Sequence, residues 1–166
     1  MANIKLAYAA SSNLTVTNLN SIAASSTLLA GWESDAIDNT SNLYLDYILS
    51  GKISVGNSAT AGQIRVYVVP MLDDSTWPGV FDGTESAETE VDTEIRDGFA
   101  QLVRSIDVDA DAGTDDVYYF GGISIASFFG GIVPSKFVIF ITHNTGVNLA
   151  SSGNQVTIKG VYATST

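Results

Sequence analysis

The chain has 166 residues, of which 45% are hydrophobic, and a formal net charge of −11. A chain of this length is expected to form one domain and to bury about two thirds of its unfolded surface. It has no cysteine and a single histidine, which excludes disulfide frameworks, thiolate zinc sites and three-histidine zinc centres. Its seven Lys and Arg residues are scattered singly, and nucleic acid is therefore not expected as a partner, because binding to phosphate backbones needs clustered positive charge.

The chain has neither the features of a signal peptide nor those of a membrane span. Met1–Ala10 lacks an uninterrupted apolar segment, and no apolar run reaches the ~20 residues that cross a bilayer. The longest candidate, Ile123–Ile141, is interrupted by a glycine pair, a proline and a lysine. We therefore expect a protein that is made in a cytoplasm without an export signal of its own and that does not bind membranes.

Residues 1–20 are predicted to form an arm and an edge strand, followed by a single domain of residues 21–166. In the arm, Ile4, Leu6 and Tyr8 alternate with other residues, which is typical of a short strand or of a segment that docks on a neighbouring molecule. These three residues are our first interface candidates. Two further strands are predicted in this part of the chain, at Asn13–Leu19 and near Leu28–Trp32.

Two strands organise the middle of the chain. Most apolar residues of Leu43–Val55 fall at every second position, the period of a strand with one face in the core. Gln63–Leu72 repeats the pattern and ends near Pro70, which has no N–H to donate to a ladder. Because a short loop (56–62) joins the two strands, we predict that they pair as a hairpin.

Fourteen of the eighteen acidic residues lie in the region 73–116. We predict a long surface excursion here, then a short helix near Ile95 that gives way to a strand at about Gln101–Ala110. The loop at the start of the region carries Trp77 and Phe81, and aromatic residues in a loop between strands often form binding surfaces. Both are interface candidates, the alternative being that Trp77 folds back over the open end of the fold.

The last part of the chain predicts three more strands. A strand region from Asp116 to Phe129 is expected to bend at Gly121–Gly122. Phe137–Thr142 is apolar without interruption and should be a central strand, and Val156–Thr164 alternates again. About eight strands with long connections predict an all-β fold, an antiparallel two-sheet β-sandwich that is jelly-roll-like.

The most motif-like stretch contains aspartates at or near alternate positions: Asp107, Asp109, Asp111 and Asp115. Alternate carboxylates present oxygen ligands to Ca²⁺ in EF-hand loops, so these four are the candidate calcium ligands. The stretch is not an EF-hand, because it lacks the glycine at the sixth place and the glutamate at the twelfth. The same alternation arises at a strand end whose aspartates point into water, and no cofactor is then required.

No constellation of acid, base and nucleophile indicates an enzyme. His143 ends an apolar strand, but no Gly-x-Ser-x-Gly elbow presents a nucleophile to it. A single histidine at a strand end is most often a hydrogen-bonded structural residue. We therefore predict a protein without catalytic residues. Its apolar content exceeds what one sandwich interior needs, and burial against identical copies would absorb the surplus. We predict a homo-oligomer, with a trimer favoured.

The turns and strands of the C-terminal half follow a definite order. Pro134–Phe137 opens a strand, Asn144–Gly146 ends it, Ser152–Asn154 turns into the last strand, and Tyr162 lies near the end of that strand. In these turns, and over about Tyr44–Ala163, the chain resembles tailed-bacteriophage virion proteins of jelly-roll type.

This resemblance implies a structural role as a capsid cement or decoration protein on the surface of the virion. Such a protein binds in many copies between subunits of the major capsid protein and stabilises the head. The N-terminal arm would then contact the capsid or a neighbouring copy, and Trp77 and Phe81 would form a second contact.

The jelly roll is also the fold of carbohydrate-binding modules and of the receptor-binding tips of phage tail or head fibres, which gives the alternative function. A site of that class places aromatic residues on a concave face or on loops. Trp32, Tyr44, Tyr67 and Trp77 are the residues to test, and calcium at Asp107–Asp115 would fit this class better. A glycan array separates the two functions, because a cement protein should bind nothing on it.

Overall fold

A computed structural model describes residues 3–110 and 116–165 of the chain. These residues form eleven strands, a π-helical turn and a 3₁₀ turn, and neither turn is long and apolar enough to cross a membrane. The strands are β1 (Ile4–Tyr8), β2 (Ser12–Asn13), β3 (Ala30–Glu33), β4 (Ile37–Asp38), β5 (Asp46–Ser54), β6 (Gly62–Pro70), β7 (Ser86–Thr89), β8 (Gln101–Val108), β9 (Val117–Ser124), β10 (Lys136–His143) and β11 (Gln155–Ser165). The turns are Ile95–Phe99 and Ala126–Phe128.

The strands form two antiparallel sheets. Sheet I has the order β1-β11-β5-β9, with β2 also beside β11, and sheet II has the order β7-β3-β10-β6-β8, with β4 also beside β10. The chain crosses repeatedly between them, since β5, β9 and β11 belong to sheet I while β6, β8 and β10 belong to sheet II. The predicted all-β two-sheet sandwich is confirmed, and within the described residues it has eleven strands rather than about eight.

A continuous hydrophobic core lies between the two sheets. The inward residues of β5 and β6 are those that the period of two predicts, and Leu49 and Ile64 have no exposed surface. Across the interior, the ring of Tyr47 from sheet I meets the ring of Phe137 from sheet II edge-on, with centroids 5.6 Å apart. Each large side chain buried in this way contributes about 1.5–3 kcal/mol, which makes this interior the main source of stability.

The predicted hairpin between β5 and β6 is wrong, because the two strands belong to different sheets. The loop 56–62 bonds to the loop before β11: the Gly56 N–H donates to the carbonyl of Asn148 (3.0 Å), and the Thr60 N–H donates to that of Thr145 (2.8 Å). The apolar faces of β5 and β6 look toward each other across the core. Alternation is satisfied equally by this arrangement and by a hairpin, because it specifies which face is buried and not which strand is adjacent.

Of the predicted edge strand at Asn13–Leu19, only Asn13 lies in a strand, as the second residue of β2. The Leu14 N–H still donates to the carbonyl of Val156 (2.9 Å), but the chain then turns away from β11. Leu14 and Val16 pack against the core, and Leu19 is fully buried. The alternation here therefore marks an extended segment laid against the core, whose backbone is not part of a ladder.

The three strands predicted in the C-terminal half are present, but the strand region predicted from Asp116 to Phe129 ends at Ser124, and Ala126–Phe128 forms a 3₁₀ turn. In β9 the register with β5 shifts opposite Gly121–Gly122, which forms the predicted bend. Gly122 has a φ of +66°, a conformation that glycine adopts without the strain of a side chain. Strand β10 lies between β3 and β6, and its residues Phe137–His143 are buried on both faces, as the unbroken apolar run predicted.

Residues 71–100, which we call the cover, lie against the outer face of sheet II. Phe81 and Ala100 of the cover form a second hydrophobic cluster with four residues of the sheet, namely Tyr67, Val69, Val138 and Phe140. The cover also adds β7 to the sheet beside β3 and contains the helical turn predicted near Ile95. Most residues of the cover are at least partly exposed, as expected of a surface excursion, but the segment also shields a sheet face.

Candidate interaction surface

Trp77 and Phe81, two of the predicted interface residues, lie in the cover. Phe81 is only 5% exposed and meets Phe140 of β10 edge-on, with ring centroids 5.3 Å apart. Trp77 is half-buried and packs against the same cluster, and its ring lies so close to Gly83 that a Cβ there would stand 2.9 Å from it. These contacts hold the cover on sheet II. Trp77 does fold back onto the chain, but onto this face rather than over an open end.

Carboxylates of the acidic region bind polar groups of the sandwich. Glu85 accepts hydrogen bonds from the Trp32 indole N–H (2.7 Å) and the Asn18 backbone N–H (2.7 Å). In the other direction, Asp35 of the sandwich accepts a bond from the Glu85 backbone N–H (3.0 Å). Hydrogen bonds to ionised groups are among the stronger ones in proteins. Part of the negative charge of this region therefore attaches the cover to the sandwich.

Glu33 of β3 is fully buried beneath the cover. Its Oε1 accepts bonds from the backbone N–H groups of Gly83 (2.7 Å) and Asp82 (3.2 Å), while its Oε2 has no hydrogen-bond partner among the described residues. Burial raises the pKa of Glu33 from its ordinary value of 4.5 to about 7, and the two N–H donors only partly oppose the shift. The group therefore changes its charge near neutral pH.

His143 is a structural residue of the core, as its position at a strand end indicated. It is almost fully buried, with Nδ1 3.0 Å from the hydroxyl oxygen of Thr145 and Nε2 3.3 Å from the carbonyl oxygen of Ile22. Burial lowers its pKa, which favours the neutral ring. These contacts link the end of β10 to the segments on either side of it.

Two of the four candidate calcium ligands, Asp111 and Asp115, lie outside the described residues. Of the other two, Asp107 accepts a bond from the Gln63 side-chain amide (3.1 Å), and Asp109 accepts one from the Tyr118 hydroxyl (2.5 Å), which lowers the pKa of Asp109. No group of three or more potential metal ligands occurs within residues 3–110 and 116–165. Calcium binding at this loop stays a prediction.

Two of the four aromatic residues named for glycan binding are not accessible. Trp32 is fully buried and Tyr67 is 2% exposed, so neither can stack on a sugar. Tyr44 is half-buried and lies over Gly160, with its ring 5.3 Å from that of Tyr47. The other two, Tyr44 beside β11 of sheet I and Trp77 in the cover over sheet II, lie on different parts of the fold, so the four residues named do not form one platform.

The predicted arm forms β1, which pairs with the last residues of β11 from Ile4↔Ser165 to Tyr8↔Val161. Ile4, Leu6 and Tyr8 are 79%, 67% and 62% exposed. The two possibilities left open for the arm are thus compatible: β1 pairs within its own chain and still offers apolar side chains to a partner. The Lys159 ammonium lies 5.7 Å from the centroid of the Tyr8 ring, within the range of a cation–π contact.

Beside this pair of strands lies an apolar groove of about 490 Å³ that the sequence analysis missed. Its lining includes Leu43 and Leu45, which are 72% and 52% exposed, and Tyr162 of β11. Leu43 also has a φ of +51°, which is unusual for a residue with a branched side chain. The alternation of Leu43–Val55 predicted Leu45 on the buried face, which is wrong, because β5 begins only at Asp46 and Leu45 lies outside the ladder, 52% exposed.

Asn39 holds the segment that presents Leu43. Its side chain accepts a hydrogen bond from the Tyr44 N–H (2.8 Å) and donates one to the Tyr44 carbonyl (2.9 Å), as a neighbouring strand would. The Leu43 N–H donates to the Asn39 carbonyl (2.9 Å). The exposure of Leu43 is therefore enforced by well-formed bonds on both sides.

Replacing Asn39 by alanine is expected to lower the free energy of unfolding by about 1–3 kcal/mol, because both backbone groups of Tyr44 lose their partner. Urea titration followed by tryptophan fluorescence measures the change. The variant Asn57→Ala, in an exposed loop, serves as the control and should unfold like the parent. Equal midpoints for all three proteins would show that water replaces the side chain of Asn39 without cost.

No family model matches the chain, and no curated protein matches it.

Proposed function

We propose that this protein is a non-enzymatic structural component of a tailed-bacteriophage virion, a capsid cement or decoration protein on the surface of the head. It binds between subunits of the major capsid protein and acts as a homo-oligomer, for which a trimer is the proposed state. One observation carries the proposal: large apolar side chains of β1 and of the Leu43–Leu45 segment are exposed to water although the chain has a complete core. Exposed apolar surface of this kind is typical of protein–protein contacts.

The distribution of charge supports a protein partner at this surface. The strands and loop that carry the exposed side chains (4–8, 43–45 and 161–165) contain one lysine and no acidic residue. Most acidic residues lie in the region 73–116, whose first part covers sheet II. Directing the neutral, apolar end toward the capsid would leave the acidic cover in solvent, where its charge keeps particles from associating. The resemblance of the C-terminal turns to jelly-roll virion proteins agrees with this orientation.

The test is binding to capsids assembled without this protein. We expect the purified protein to sediment with the capsids and to raise the temperature at which they rupture, with saturation at a fixed number of copies for each capsid subunit. Deleting residues 1–10 should abolish or strongly weaken both effects. The double variant Leu72→Lys and Val91→Lys, at exposed apolar positions of the cover, is the control and should bind normally.

Two results would contradict the proposal. The protein would either stay in the supernatant at all ratios, or localise to the tail in an electron cryomicroscopy map of the native virion. Normal binding by the deletion variant would instead remove the N-terminal strand from the contact and leave the remaining surface to be assigned.

A further inference from the structure

Strand β1 and the last residues of β11 form a ribbon of two strands that extends past the rest of sheet I. Strand β11 pairs with β5 only as far as Val161↔Asp46, whereas it pairs with β1 as far as Ser165↔Ile4. Residues 4–7 and 162–165, which we call the ribbon, therefore have only each other as neighbours in the ladder among the described strands. A two-stranded unit of this kind is marginally stable by itself in water.

Both edges of the ribbon have backbone groups without a partner strand in the described chain. One edge is the outer side of β1, and the other is the side of β11 on which β5 ends. Exposed, apolar strand edges are sites at which a further strand adds to a sheet. Ile4 and Leu6 lie on β1, and Leu43 and Leu45 lie next to the β11 edge, since the Leu45 N–H donates to the Val161 carbonyl (2.8 Å). Each edge is thus accompanied by its own exposed apolar side chains.

We infer that the ribbon is the self-association surface of this protein, with β1 of one copy adding to the free β11 edge of the next. The arrangement pairs both edges at once and brings the apolar side chains of β1 against Leu43 and Leu45 of the neighbour. A contact between two different patches is heterologous, and repetition of it closes a ring when the rotation permits. This inference adds a self-association surface to the proposed function, and it rests on that function for the place of the oligomer in the virion.

Charge permits a second copy at this surface, in addition to the capsid contact proposed above. With a net charge of −11, copies repel one another wherever their acidic residues meet. The ribbon contains no acidic residue, and the two aspartates that flank the Leu43 segment are neutralised or engaged within the chain. Asp38 lies 3.3 Å from the Lys136 ammonium, and Asp46 accepts bonds from the Ser124 hydroxyl (2.6 Å) and the Ala126 N–H (2.8 Å). Identical copies can therefore approach each other at the ribbon without repulsion between their acidic residues.

The experiment compares two single variants with a matched control. Leu6→Lys and Leu43→Lys each place a charge in one half of the proposed contact, and Leu72→Lys makes the same change at a cover position that is 62% exposed. We expect analytical ultracentrifugation to show oligomers for the parent and for Leu72→Lys. Each of the other two variants should raise the dissociation constant at least about tenfold. Circular dichroism spectra should be unchanged.

Mixing the two variants identifies the kind of contact. In a heterologous arrangement, the intact Leu6 of one variant meets the intact Leu43 of the other, so the mixture should form dimers that neither variant forms alone. Absence of rescue by mixing would overturn the pairing of β1 with β11. A monomeric parent at the highest soluble concentration, or equal weakening by Leu72→Lys, would overturn the self-association surface altogether. Capsid sedimentation of the same proteins keeps the two proposals distinguishable, because a monomer that still binds capsids contradicts only this inference.

Discussion

Replacing Phe81 by alanine is expected to destabilise the protein by about 3–5 kcal/mol and to release the cover from sheet II. The ring is buried between the cover and β10, where it meets Phe140 edge-on. Its removal leaves a cavity and withdraws the largest buried apolar contact that the cover makes with the sheet. The cover also donates the Gly83 N–H to Glu33 and accepts the Trp32 indole N–H at Glu85, but each of these hydrogen bonds is worth less than the buried ring.

Thermal unfolding and limited trypsin digestion measure the two parts of this effect. The guanidinium of Arg96 is bound to the Thr27 carbonyl (2.6 Å) and to Asp97, which keeps its peptide bond within the folded cover. Cleavage after Arg96 should therefore accelerate in Phe81→Ala while the sandwich persists. The variant Phe128→Ala, at a ring that is 38% exposed, is the control and should change little. A melting temperature and digestion rate equal to those of the parent would show that the ring does not hold the cover.

Glu33 is expected to make the protein less stable as the pH rises through neutrality. Its pKa is about 7 in the folded chain against 4.5 as the ordinary value, so the folded state retains a proton that the unfolded state has lost. Below pH 4.5, the pKa of the unfolded state, Glu33 makes its full stabilising contribution. This contribution decreases as the pH rises from there and is lost above about pH 7. A shift of this size corresponds to about 3 kcal/mol.

The substitution Glu33→Gln tests this prediction, because glutamine has the same shape and does not titrate. We expect the difference in unfolding free energy between parent and variant to change by about 3 kcal/mol, in favour of the variant, between about pH 5 and about pH 8. Denaturant titrations at both values measure it. Glu94→Gln, at an exposed position, is the control, and its unfolding free energy should change between the two pH values as that of the parent does. If the unfolding free energy of Glu33→Gln also changes as that of the parent does, the carboxyl of Glu33 ionises normally in the folded chain.

Comparing variant with parent isolates Glu33 from the other carboxyl groups. Asp38, Asp73, Asp97 and Asp109 have pKa values lowered by hydrogen bonds or by a neighbouring cation. They stabilise the folded state at neutral pH and lose that contribution only when the pH falls through their lowered values. Their effect therefore has the opposite sign and lies in a more acidic range, and it cancels in the difference.

The sequence by itself determined the class of fold and the strands that follow simple periods. The unbroken apolar run Phe137–Thr142 predicted a strand buried on both faces, and the glycine pair Gly121–Gly122 predicted the bend in β9. Alternation alone indicated that Ile4, Leu6 and Tyr8 share one face of a short strand or docking segment and made them interface candidates. These features are local, because a residue's neighbours along the chain decide which side of a strand it occupies.

Only the tertiary structure decided which strands are adjacent and what the acidic region does. Both a hairpin and a crossing between sheets bury the same faces of β5 and β6, so no local pattern separates them. Glu33 and Gly83 are fifty positions apart in the chain, and their hydrogen bond exists because the cover folds back over sheet II. The exposed Leu43 likewise depends on the bonds between Asn39 and Tyr44. Such roles depend on which distant backbone groups a side chain meets, and that is a property of the assembled fold.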